Sequence, residues 1–163
     1  MVFFYLFISE NSGFVNVSSN SGNIAMRQIF YVDTAIWRDY FEDRRDSINP
    51  LGEFASQFLK KCEKNRYSVI VSSAVKKELL DYYSQERVNQ VFSSFKDIIA
   101  EVDYSKKQAE EAFNFWLSAK KKFPFYDILH SIIARDNKAV LVTRDRHFEE
   151  IGIVECVLPE EVY

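Results

Sequence analysis

Glycine, proline and cysteine are all scarce in this chain of 163 residues, and an excess of positive charge is missing altogether. Four glycines and three prolines are too few for the many tight turns of an all-β fold. The two cysteines, Cys62 and Cys156, lie in unrelated contexts and form neither a CxxC metal pair nor a disulfide framework. They are expected to be free thiols in a reducing cytoplasm. A net charge of -3 is unlike the basic balance of a nonspecific nucleic-acid binder. Long apolar runs are also lacking: the opening stretch Val2 to Ile8 is far too short to span a bilayer. It has no basic flank and no small-residue cleavage site, so neither a signal peptide nor any membrane attachment is expected.

What is present is core material. The apolar fraction is 47% and the aromatic fraction 16%, which excludes disorder for most of the chain and suits a single domain with a full core. Residues 9 to 25 form a Ser/Asn/Gly-rich run that reads as a linker. The working domain is therefore expected over residues 26 to 163, beginning at Met26, with 1 to 25 an extension outside the native domain.

From there strands and helices alternate. Ile29 to Val32 is a short apolar strand, and helical spacing follows over Ala35 to Asp46 and Leu51 to Asn65. Tyr67 to Val71 is a β-branched strand, with Ser72 or Ser73 capping a helix from Ala74 to Tyr83. Glu86 to Ile99 reads as a helix, Ala100 to Val102 as a brief strand, and Ser105 to Lys122 as a long helix capped by Ser105. The lysines at 120 to 122 then complement the helix dipole or contact nucleic acid. Tyr126 to Arg135 is a further helix, Ala139 to Val142 a strand, Arg146 to Glu150 a turn-helix and Ile153 to Val157 a last strand. Such alternation demands crossover connections, hence an α/β class: a three-layer α/β/α sandwich around a mostly parallel central sheet.

This order places acids where they can meet. Asp33 and Asp145 each end a strand, and the carboxyl ends of strands line the binding crevice of an open α/β sheet. Glu78 lies near the start of the helix after the second strand, and Asp127 opens the helix after Pro124. Any one of these acids alone is as well explained as a cap or a surface residue. Together in one crevice they repel, and cannot all stay ionised without a compensating cation. Oxygen donors without a His/Cys set point to Mg²⁺ or Mn²⁺ rather than zinc. Such a site suits phosphoryl chemistry. Arg135 to Arg146 hold four bases against two acids, a basic rim compatible with a polyanionic substrate or with a solvated mixed surface.

The segments Tyr31-Val32-Asp33-Thr34, Ser72-Ser73-Ala74-Val75-Lys76-Lys77-Glu78-Leu79, Tyr126-Asp127-Ile128-Leu129-His130 and Leu141-Val142-Thr143-Arg144-Asp145-Arg146-His147-Phe148 carry a resemblance. In order and spacing they resemble the PIN domain family of metal-dependent ribonucleases, and within it the VapC-like toxins of toxin-antitoxin systems. The resemblance implies that Asp33, Glu78, Asp127 and Asp145 coordinate metal, that Thr143 supports them through its hydroxyl, and that RNA is cut to leave a 3′-hydroxyl and a 5′-phosphate. It also implies a cognate antitoxin and a homodimer as partners. A housekeeping RNA-processing nuclease, or a PIN-like module that binds without cleaving, are the alternatives. The family often carries a further acid where this chain has His147, which either touches phosphate or packs at the domain edge. His130 is placed to partner Asp127 or to be a structural histidine. Arg144 and Arg146 flank Asp145 and either grip the RNA backbone or pair with Glu149 or Glu150. The aromatic residues between 35 and 59 cover a dimer interface or belong to the core.

Overall fold

Ile29, Phe30, Tyr31 and Val32 are all buried, as are Val69, Ile70, Val71 and Ser72. Successive strand residues point to opposite faces, so unbroken burial means that both faces of the sheet are covered. The computed structural model describes residues 14–17 and 25–162; the apolar stretch Val2 to Ile8 lies outside them. Six strands run in chain order: β1 (Phe14–Val17), β2 (Ala25–Val32), β3 (Ser68–Ser72), β4 (Ile99–Val102), β5 (Val140–Val142) and β6 (Cys156–Val157). Five lie in the order β4-β3-β2-β5-β6 with every pairing parallel. β1 instead runs antiparallel to the start of β2, from Phe14 opposite Gln28 to Val17 opposite Ala25. A strand therefore occupies part of the segment expected to be a linker.

Seven helices connect the strands: α1 (Thr34–Glu42), α2 (Leu51–Asn65), α3 (Ser73–Leu80), α4 (Gln85–Ser94), α5 (Lys106–Ser118), α6 (Phe125–Asp136) and α7 (His147–Ile151). They pack as two groups: α1 against α2 and α3, with α3 against α4, and α6 against α5 and α7. None is long and apolar enough to cross a membrane. Ala55, Phe58, Leu59 and Cys62 form the buried stripe of α2, at the spacing that makes one helix face. Ser72 caps α3 through the Val75 amide, and Ser105 forms a reciprocal capping box with Gln108 on α5. Trp37, Phe41 and Phe58 are buried, so these aromatic residues of the 35–59 region are core. Both cysteines are free thiols, and burial pushes that of Cys62 up to about 12.

Four helices stop short of the expected ends, among them α3, at Leu80 rather than Tyr83. α1 ends at Glu42 because Asp43 turns into the left-handed region, φ 46°, and the next helix begins against it. Gly52 permits that approach: a Cβ there would lie 2.5 Å from the Asp43 Cα. α4 ends at Ser94, and Phe95 and Ile98 bury their side chains from a turn while Ile99 enters β4. α5 ends at Ser118, and Lys120 and Lys121 both adopt positive φ. Their amides close onto the carbonyls of Leu117 and Trp116, so the lysine run is a helix stop rather than a last turn.

Candidate active site

The strand order reverses between β2 and β5, and both strands end in the sequence-predicted acids. This is the switch point at which an open parallel sheet leaves a crevice. Their ladder continues into that crevice. The Asp33 amide donates to the Val142 carbonyl (3.1 Å) and the Thr143 amide to the Val157 carbonyl (3.1 Å). Asp33 is the N-cap residue of α1, yet its side chain makes no capping bond. Its Oδ2 instead accepts from the Thr143 hydroxyl at 2.8 Å, while Thr143 Oγ1 accepts the Asp145 amide at 3.1 Å. One buried threonine thus ties the Asp33 carboxylate to the backbone of Asp145.

Asp33 is 7% exposed. Burial pushes its carboxyl above the ordinary range, opposed by His130 and the Thr143 hydroxyl and reinforced by the charge of Glu78. Asp127, in the first turn of α6, is pushed up to about 6 by burial and then by the charges of Asp145 and Asp33. Its Oδ2 is buried and has no hydrogen-bond partner. Ligand atoms of Asp127, Asp145 and His147 lie within 4.8 Å of one another. The His147 Nδ1 is 3.6 Å from Asp127 Oδ2 and 3.4 Å from Asp145 Oδ1. His147 therefore joins the acids; an isolated histidine after an Arg-Asp-Arg run gave no signal of that beyond its place two residues past Asp145.

Glu78 is not part of this close trio, though its charge is felt by Asp33. Its Oε2 accepts from the Thr34 hydroxyl and lies 3.2 Å from the His130 Nε2. Burial would raise its carboxyl, but the His130 and Thr34 contacts prevail and hold it below the ordinary value. His130 is 1% exposed and faces Glu78, whereas its spacing on α6 suggested Asp127. Thr34 is a further contributor that strand-end reasoning passed over.

The arginines are used differently from each other. The Arg144 Nε donates to Asp39 Oδ2 (2.9 Å) and Nη1 to Glu160 Oε1 (2.8 Å), neither of them the partners considered from sequence. This pair with buried Asp39 anchors the end of β5 to α1. Arg146 is exposed, just ahead of α7.

The residues fit a divalent cation. The Asp127 Oδ2 is buried, makes no hydrogen bond and is crowded by two other acids, with the His147 imidazole 3.6 Å away, and the donors are oxygens with one imidazole nitrogen.

No protein-family model matches the sequence, and no curated protein does. Solved structures do. VapBC2 from Rickettsia felis, crystallised with a DNA fragment from its promoter, matches with a TM-score of 0.60 at 20% identity, over 80% of this chain and 98% of that one. Mycobacterium tuberculosis VapC20, described as a sarcin-ricin loop cleaving toxin, matches with 0.55 at 19% identity, over 78% and 98%. FitAcB from Neisseria gonorrhoeae matches with 0.54 at 16% identity, over 83% and 100%. With its parallel sheet ordered β4-β3-β2-β5-β6 and its acids at the switch point, the chain has the PIN-like α/β fold of these VapC structures.

Proposed function

We propose that this protein is a Mg²⁺- or Mn²⁺-dependent endoribonuclease and the toxin of a toxin-antitoxin pair. The observation that carries the reading is the unpartnered, buried Oδ2 of Asp127 among acids at the switch point of a PIN-like sheet. Asp33, Glu78, Asp127 and Asp145 would hold the metal, with His147 beside the last two. A bound divalent cation would supply Lewis acidity toward a phosphodiester and its attacking water. The chain's own residues do the rest. Thr143 fixes the Asp33 carboxylate relative to the backbone that carries Asp145. Asp127, with its raised proton affinity, is suited to orient the water and take its proton near neutral pH. Arg146, free of the anchoring pair that occupies Arg144, is placed for the RNA backbone.

RNA as substrate and a small antitoxin as partner follow from the likeness to VapC20, a sarcin-ricin loop cleaving toxin, and to VapBC2 and FitAcB. The test is cleavage of RNA in Mn²⁺ by the wild type and by Asp33→Asn and Asp145→Asn. Both substitutions should abolish cleavage while leaving the protein folded; cleavage that survives either would remove the site. Expression without the neighbouring antitoxin gene should arrest growth, and harmless expression of folded protein would defeat the toxin reading.

A further inference from the structure

Behind Glu78 lies a buried polar chain that the proposed reaction leaves unassigned. The Tyr31 hydroxyl lies 2.6 Å from His130 Nδ1 and 2.6 Å from Ser72 Oγ, and Ser72 Oγ accepts the Val75 amide at 3.2 Å. Tyr31, Ser72 and His130 are each 0–1% exposed, on β2, β3 and α6 in the middle of the fold. Three polar side chains in an apolar core are costly unless each is satisfied. Here they are. The Glu78 carboxylate only accepts, so His130 Nε2 carries the proton directed at Oε2. Nδ1 then meets a hydroxyl that donates or accepts as required, and the Ser72 hydroxyl turns to match, anchored by a backbone amide that only donates. A chain fixed at both ends holds the imidazole in one orientation.

The consequence falls on Glu78. Its Oε2 is occupied by His130 and Thr34, and among the described residues its Oε1 has no hydrogen-bond partner. The two donors come from α6 and from the residue after Asp33, so the carboxylate is held from both sides with one oxygen left over. We propose that His130, backed by Tyr31 and Ser72, is a positioning residue that presents Glu78 Oε1 to the catalytic divalent metal. This rests on the metal-dependent reading above and gives it a specific device: Glu78 is oriented by an imidazole from the core rather than by its own helix. Hydrogen bonds that orient a metal ligand are worth roughly 10- to 100-fold in metal affinity.

The experiment measures Mn²⁺ affinity by calorimetry on the full chain, alongside RNA cleavage. His130→Leu should weaken Mn²⁺ binding by about 10-fold or more. His130→Gln, whose amide reaches the same oxygen as Nε2, should restore most of it, and Tyr31→Phe should give a smaller loss in the same direction. In a Glu78→Ala background, His130→Leu should change the affinity by less than about 2-fold, because its effect runs through that carboxylate. A merely structural histidine would give additive losses and no rescue by Gln. If His130→Leu does not fold, His130→Asn, whose shorter amide stops short of the Glu78 oxygen, takes its place and should show the same loss. Unchanged affinity in the Leu or Asn variant and in Tyr31→Phe, with a wild type that binds Mn²⁺ and cleaves, would overturn the positioning role alone. A wild type that neither binds Mn²⁺ nor cleaves RNA would overturn the metal-dependent reading and this role with it.

Discussion

Replacing Asp127 by Asn should stabilise the metal-free protein at neutral pH and leave it unchanged in acid. In the folded state Asp127 titrates near 6, against an ordinary value of 3.8, because burial and the charges of Asp145 and Asp33 disfavour its ionisation. Between those values the native protein holds a proton that the unfolded chain has lost, so stability from this group is present below about pH 4 and declines as pH rises through 6. A difference of about two units corresponds to about 3 kcal/mol at most. The side chain is 18% exposed and its neighbours are partly wet, so roughly half of that is the reasonable expectation. Asn removes the charge with little change of shape, and about 1.5 kcal/mol in a chain of this size is a rise in Tm of roughly 3–6 °C. The assay is thermal unfolding in EDTA and moderate salt, at pH 7.5 and at pH 4. The reasoning predicts a rise at pH 7.5 that vanishes at pH 4. No rise at pH 7.5 would refute it. An equal rise at both would assign the gain to new hydrogen bonds of the amide instead of to relieved charge.

Millimolar Mn²⁺ should raise the Tm of the wild type and fail to raise that of the Asp33→Asn/Asp145→Asn double variant, since a ligand bound only by the native state stabilises it; scanning fluorimetry reads both. Thr143→Val removes a donor to Asp33 and an acceptor for the Asp145 amide, and should cost about 1–3 kcal/mol in urea unfolding together with most of the cleavage. Arg144→Met leaves buried Asp39 with Arg44 alone, at 3.3 Å, and should destabilise by about 2–4 kcal/mol while sparing cleavage measured well below the Tm. Arg146→Ala should do the converse, weakening RNA binding in a filter assay with no change in Tm.

Local patterns in this sequence were readable where tertiary structure agreed with them. α2 runs from Leu51 to Asn65 as its apolar spacing requires, and Asp33 and Asp145 follow the ends of two neighbouring parallel strands. The errors arise where two structures share one pattern. Phe95, Ile98 and Ile99 continue the period of α4, yet they are inward-facing in a turn and a strand equally well, so periodicity gave no stop at Ser94. Phe14–Val17 sits among serines and asparagines and becomes a strand only because β2 extends to meet it. Side-chain partners were the least legible. Arg144 finds Asp39 from 105 residues away, and His130 reaches back 52 residues to Glu78 past the nearer Asp127. Spacing along α6 places both possibilities on similar footing; only the crossing of α6 over β2 and α3 decides between them.

The site is asymmetric, and the asymmetry says how it works. On the Glu78 side the protein supplies its own donors, Thr34 and His130, and the carboxylate is held ionised and oriented. On the Asp127 side it supplies less: one oxygen is buried without a hydrogen bond, the His147 imidazole stands 3.6 Å from it and the acid resists ionisation. Asp33 is raised by burial and, to a lesser degree, by Glu78, and itself raises Asp127. Electrostatic stress thus accumulates toward Asp127 and Asp145, the wet side of the crevice, where the Asp145 carboxylate is 45% exposed. A cation arriving from solvent meets the unsatisfied pole first and finds the satisfied pole already in position. Because the backbones of Asp33 and Thr143 continue the β2–β5 and β5–β6 ladders, the separation of these groups is inherited from strand register and cannot relax to relieve the repulsion. The stress persists in the metal-free protein for that reason, and it is why the Asp→Asn substitutions that abolish cleavage are also expected to stabilise the fold.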